Sequence, residues 1–235
     1  AHDLRIFAEI VDAPALGLEA IVERAARYVR DGADVIDIGC LPDTPFPHLA
    51  ETVGTLKAAG YAVSVDSLAP DDLLAGGRAG ADYLLSLDEE TLWIADEVPA
   101  TPVLIGRPPH DLDSLGRAIE RLAATGRPFY ADPILDPIHM GFTESVVRYR
   151  ELRARYPAAP IMMGTGNLTE LTHADTAGTT ALLLGICSEL GITAILTTEV
   201  SPHCRRAVPE AELARRIMHA TCADGLPPTG VHEGL

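Results

Sequence analysis

"LGLEAIVERAARYVRDGADVIDIG", residues 16–39, decides how the rest of the chain is read. Apolar residues recur at helical spacing until Gly32, a residue suited to closing a helix. Directly after it, "ADVIDIG" (33–39) is an apolar-rich run with two charges, Asp34 at its start and Asp37 within it. A strand that is apolar on both faces suits a parallel sheet covered by helices. The segment is therefore one helix-then-strand unit of an α/β protein.

The same unit recurs on both sides of it. Strands are expected at 4–11, 33–39, 61–67, 81–87, 101–106, 128–132, 160–164 and 192–199. Helices are expected at 16–32, 46–59, 70–79, near 88–95, and at 111–125, 142–156, 170–190 and 209–222. Eight such units in 235 residues predict a single-domain (β/α)₈ barrel over 1–223, with an open doubly wound sheet as the alternative. Residues 224–235 read as a Gly/Pro-rich tail.

Composition narrows the function. The hydrophobic fraction of 47% supports one sizeable core, and the aromatic fraction of 5% predicts an aliphatic one. A formal net charge of −16 argues against nucleic-acid and anionic-membrane partners, which select basic surfaces. No apolar run reaches the ~18 residues of a membrane span, and the first residues carry no basic-then-apolar leader. A soluble cytoplasmic protein is expected. Cys40, Cys187, Cys204 and Cys222 have no ligand or framework spacing and read as free thiols.

In a (β/α)₈ barrel the C-terminal ends of the strands form the active-site mouth. Those positions hold Glu9, Asp37, Asp66, Ser86, Asp132, Asn167 and Glu199. Such a mouth suits either a divalent metal or a heterocycle rich in N–H donors, whose guanidine-like edge pairs with a carboxylate. The ligand reading is preferred, and no metal is expected. Asp37 is open between a structural and a functional role. "GTGN" (164–167) precedes a helix, and helix N-termini bind anions. No Lys or Arg stands between Arg155 and Arg205, which weakens a phosphate reading. Asn167 either caps the following helix or contacts a ligand; Gly164 and Gly166 permit close approach of a flat ring or a tight turn. Arg148, Arg150, Arg153 and Arg155 read as a solvated helix face, and Asp136 as a cap in "DPIHMG".

The motifs "GADVIDIG", "VSVDS", "YADPILDPI" and "MGTGN", in this order, resemble the pterin-binding barrel family. That family includes dihydropteroate synthases and methyltetrahydrofolate:corrinoid methyltransferases. The chain is most similar to the dihydropteroate synthase-related proteins of tetrahydromethanopterin-using organisms. The resemblance implies a reduced pterin, of tetrahydromethanopterin or folate type, as ligand or substrate. It implies a transferase in tetrahydromethanopterin synthesis or one-carbon metabolism; the alternatives are a non-catalytic pterin-binding protein or a pterin-dependent methyltransferase. Asp66 and Asp132 match the family's pterin-contacting aspartates. Asn167 matches an asparagine acting near N5, Glu9 a first-strand glutamate, and Ser86 stands where an asparagine is usual. Gly164 and Gly166 join this set. The lysine after strand seven and the R-x-H after strand eight of a folate-pathway synthase are missing, so ordinary folate synthesis is not expected. A displaced anion site at His203, Arg205 and Arg206 is the remaining possibility. The family also implies a homodimer through the outer helices.

Overall fold

The computed structural model describes residues 4–230. The first three residues, on which the leader reading rests, and the last five of the tail lie outside the described residues. Eight strands alternate with helices: β1 (Arg5–Ile10), β2 (Val35–Gly39), β3 (Ala62–Asp66), β4 (Tyr83–Leu87), β5 (Thr101–Leu104), β6 (Tyr130–Ala131), β7 (Met162–Gly164) and β8 (Ala194–Thr198). All are parallel, in the order β6-β5-β4-β3-β2-β1-β8-β7. A bridge between Ala131 and Ile161 joins the two ends of this order and closes the barrel. The open sheet is thereby excluded.

Nine helices are described: α1 (Leu18–Asp31), α2 (Leu49–Ala58), α3 (Pro70–Arg78), α4 (Ile94–Glu97), α5 (Leu112–Thr125), α6 (Phe142–Arg155), α7 (Gly166–Thr169), α8 (Thr176–Leu190) and α9 (Ala207–Asp224). None is long and apolar enough to cross a membrane. The opening segment folds as its pattern dictates. Ile21, Ala25 and Tyr28 are the buried stripe of α1, and Gly32 ends it at φ 113 in the left-handed region.

The helix expected over 170–190 begins late, at Thr176, because Asp175 accepts hydrogen bonds from the backbone N–H groups of Ala177 and Gly178 and caps α8 there; the short α7 before it was not expected. Glu170, just past α7, is turned away to the loop after β8.

Strand alternation builds two cores. Residues such as Ile6, Ile36, Val63 and Leu84 point outward and pack under the helices. Their inward neighbours, including Phe7, Val35, Tyr83, Leu85, Val103 and Met162, fill the barrel interior. The inner core departs from the aliphatic expectation: Phe7, Tyr83 and Tyr130 meet edge-to-face or tilted, with centroids 5.0–6.2 Å apart. This aromatic plug is the base of the barrel interior, beneath the mouth.

Candidate functional site

One pleat above the plug, the same inward register carries polar residues. Two positions beyond Phe7 is Glu9, and two beyond Val35 is Asp37. Ser64 and Asp66 follow Ala62 at the same spacing, and Asp132 follows Tyr130. In register, Glu9 stands opposite Asp37, and Asp37 opposite Ser64. On β7 the inward position is Gly164, which leaves room where its neighbours carry side chains.

Ser86 breaks the alternation. Its parity with Leu84 would turn it outward, but β4 shifts register between Leu85 and Leu87. Ser86 sits at φ 80, and its hydroxyl donates to Asp66 Oδ1 at 3.1 Å. A bulge thus re-aims one side chain into the mouth.

The β1–β4 side opens into a cavity of about 820 Å³, lined among others by Glu9, Cys40, Asp43, Asp66, Asp72 and Ser86. No Lys, Arg or His lines it among the described residues. One carboxylate oxygen each from Glu9, Asp37 and Asp66 lie within 4.8 Å of one another. Two like charges at that separation repel by roughly 3 kcal/mol at an effective dielectric of ~20, so full ionisation of the bare cluster is disfavoured. Burial, then the charges of Asp66 and Glu170, push the Glu9 carboxyl up to about 8. Burial and then Asp66 and Glu9 hold Asp37 well above the usual carboxylate range, against the hydrogen bond from Ser64. Asp66 is raised by burial and partly restrained by Ser86. These three residues are the group that could hold a metal.

Across the mouth, Asp132 is differently supported. Its Oδ1 accepts from the Tyr149 hydroxyl at 2.7 Å and from the Ile134 backbone N–H at 2.8 Å. Burial raises its carboxyl to about 6, and those two donors limit the rise. Ile134 holds φ 68, unfavourable for a β-branched residue, in the turn that delivers this N–H. A Cβ placed on Gly164 would lie 3.6 Å from Asn167 Nδ2 and 4.0 Å from Asp132 Oδ2. Gly164 therefore keeps clear the space that these two polar groups border. Neither Gly164 nor Gly166 has a positive φ, so neither needs glycine for a left-handed turn. At Gly166 a Cβ would stand 3.2 Å from Thr198 Cγ2.

Of the two roles open to Asn167, the helix cap is not the one it takes. It lies within α7, whose N-cap is Thr165 with no side-chain cap bond. Its side chain is exposed, and Nδ2 donates to the Leu135 carbonyl at 2.9 Å. The amide carbonyl oxygen accepts no hydrogen bond among the described residues.

The arginines of α6 are not simply a solvated face. Arg148 donates to the carbonyls of Pro133 and Ile134 and to Asp136 Oδ2, clamping the turn that carries Asp132. Asp136 is buried in that ion pair, and His110 Nε2 lies 3.0 Å from its other oxygen; it caps no helix. Arg153 donates to the carbonyls of Leu190, Gly191, Pro157 and Ala159. Tyr149 and Arg148 were not legible as site residues. The faint signal was a basic and an aromatic residue side by side about two turns into the helix after "DPIHMG".

After β8, Glu170 accepts from Thr198, Val200 and Ser201 and orders the loop. His203 Nε2 lies 3.0 Å from the Thr169 carbonyl oxygen, occupied in local structure. Arg205 borders a separate cavity of about 530 Å³ with Arg24 and Arg27. Those two are already paired with Asp12 and Glu199. His203 and Arg205 are thus not brought together as one anion group: His203 is tied to the Thr169 carbonyl, and Arg205 borders the other cavity.

No family model matches the chain. It is 32% identical over 237 residues to an uncharacterized protein of Methanocaldococcus jannaschii, covering 92% of this chain and 45% of that protein. The chain spans about half the length of that curated relative. Among solved structures, 7,8-dihydropteroate synthase from Vibrio fischeri ES114 superposes with a TM-score of 0.71 at 13% identity, over 95% of this chain and 94% of that one. Yersinia pestis dihydropteroate synthase, solved as a sulfonamide drug complex, gives 0.70 at 16% identity, over 94% and 95%. The Xanthomonas albilineans enzyme in complex with 7,8-dihydropteroate gives 0.67 at 18% identity, over 95% and 94%. The chain therefore has the (β/α)₈ barrel fold of dihydropteroate synthases.

Proposed function

We propose that the chain binds a reduced pterin in the barrel mouth, with Asp132 as the anchoring carboxylate. The observation that carries this is the asymmetry of Asp132. One oxygen is saturated by Tyr149 and Ile134, while Oδ2 receives no hydrogen bond among the described residues and borders the space kept open by Gly164. A 2-amino-4-oxopteridine presents two parallel N–H donors to such a carboxylate. Asp66 and Ser86 face the same mouth from β3 and β4, Glu9 stands beside them, and Asn167 offers an amide oxygen at the rim beside Gly166. The cavity's excess of acceptors over cations supports a donor-rich ring, and the solved proteins of the same fold include one holding 7,8-dihydropteroate.

Within this reading the protein is a dihydropteroate synthase-like transferase of tetrahydromethanopterin synthesis or one-carbon metabolism. Asp132 and Asp66 orient the ring, and Asn167 tracks protonation at N5, which makes a departing amine better. The wall without cations favours a second reading, a protein that holds the pterin without transforming it. Turnover assays with a dihydropterin pyrophosphate and an arylamine, or a methyl-pterin and a corrinoid protein, separate the two. The exposed Leu182 and Leu226, beside a groove of about 800 Å³ between α8 and α9, are the proposed contact of a homodimer, checked by light scattering.

The anchoring role is tested by calorimetry with a 7,8-dihydropterin. Asp132→Asn removes a charge-assisted pair and should weaken binding at least about tenfold. Equal affinity of the two proteins would remove Asp132 from the reading.

A further inference from the structure

Glu9, Asp37 and Asp66 come from three adjacent strands, yet none forms an ion pair with a Lys, Arg or His among the described residues. Two hydroxyls serve them: Ser64 donates to Asp37 Oδ1 at 2.5 Å and Ser86 to Asp66 Oδ1 at 3.1 Å. Neither Glu9 oxygen has a hydrogen-bond partner among the described residues. The independent observation is Asp37 Oδ2. It is buried without any partner, on a residue with 0% exposure. Buried polar atoms are rarely left so, and an ionised carboxylate can only accept. A bound cation, or a proton shared with a neighbouring carboxyl, would complete this atom.

The donor set identifies its class. Three carboxylates, with no imidazole or thiolate among them, favour a hard cation over zinc or copper. One oxygen from each residue already falls within 4.8 Å of the others. Above them the cavity is roomy enough for water or a ligand oxygen to complete the coordination. We propose that Glu9, Asp37 and Asp66 bind a divalent cation of the Mg²⁺ or Mn²⁺ type at the floor of the barrel mouth. This departs from the expectation of a metal-free site and stands whether or not a pterin binds. It also supplies the positive charge that the cavity wall lacks, so an anionic group of a ligand has a partner there.

The alternative is a cluster satisfied by shared protons alone, and the test distinguishes them. The chain is stripped with chelator and titrated with Mn²⁺ at pH 8, without pterin, by calorimetry and by the Mn²⁺ paramagnetic signal. The proposal requires one bound Mn²⁺ per chain, displaced by Mg²⁺. Glu9→Gln should weaken it by about tenfold or more, because ligand charge sets affinity. Glu9 is half-buried and accepts no hydrogen bond among the described residues, so this variant should fold even where Asp37→Asn does not; circular dichroism checks it. Asp71→Asn, in the first turn of α3, should leave binding unchanged. Absence of stoichiometric binding, or binding unaffected by Glu9→Gln, would overturn the proposal.

Discussion

The two halves of the barrel mouth treat their carboxylates in opposite ways. Around β6 and β8, Asp136 is paired with Arg148, Glu170 is held by three donors, Glu199 is paired with Arg27, and Asp132 has one oxygen filled. Around β1–β3, Glu9, Asp37 and Asp66 share two hydroxyls and no cation. The first half is completed by the protein itself and fixes geometry. The second leaves acceptors unfilled, and that is where an external donor or cation fits. A ligand bridging the halves meets a rigid carboxylate on one side and an adjustable acidic floor on the other.

The sharpest way to break this contrast is to disable the self-completed half. Arg148→Met leaves Asp136 in a nearly buried position without its guanidinium and frees the Pro133 and Ile134 carbonyls. Loss of one partner of such a pair costs ~3–5 kcal/mol, so denaturant unfolding should show a drop of that order. A loss below about 1 kcal/mol, the size of an exposed pair, would mean that the clamp is not what holds the turn.

The opposite sign is expected in the unfilled half. Because the Glu9 carboxyl is raised to about 8, the folded chain keeps a proton that the unfolded chain releases from about 4.5 upward. Stability in chelator should therefore fall as pH rises from about 4.5 to 8. Glu9→Gln should flatten this decline and raise the melting temperature at pH 8 by several degrees, on the order of a few degrees per kcal/mol for a chain of this size. A variant with the wild-type pH slope would show that Glu9 is not part of the strained cluster.

Smaller effects test the link between the halves. Tyr149→Phe removes one of two donors to Asp132 and should cost about 1–2 kcal/mol. Its Asp132 carboxyl should then titrate above the wild-type value of about 6, followed by the carboxyl resonance in NMR. Smallest is Asn167→Ala, which deletes one part-buried bond to the Leu135 carbonyl and should change stability by about 1 kcal/mol. A fall in pterin affinity with stability retained would assign the amide to the ligand; unchanged affinity would leave it a tie between two loops.

Most of the architecture was legible because it depends on local periodicity. The helix-then-strand pattern of 16–39 reappears along the chain, and strand alternation alone places Glu9, Asp37, Asp66 and Asp132 inward. What escaped reading depends on events that periodicity does not encode. The β4 bulge turns Ser86 against its parity, and Asp175 sets the start of α8 at Thr176, later than the apolar pattern of 170–190 places it. Tyr149 and Arg148 act on Asp132 and its turn across a helix–loop packing that only the closed barrel creates. The cluster of Glu9, Asp37 and Asp66 was visible as single residues but not as a group within 4.8 Å, because their proximity follows from strand register.

The central claim, a pterin seated between these halves, is tested most directly by a crystal structure of the chain grown with a reduced pterin. The amino-pyrimidinone edge should lie within hydrogen-bonding distance of Asp132 Oδ2, with the ring beside Gly164 and facing Asp66. A pterin bound elsewhere, or with that edge turned from Asp132, would contradict the account.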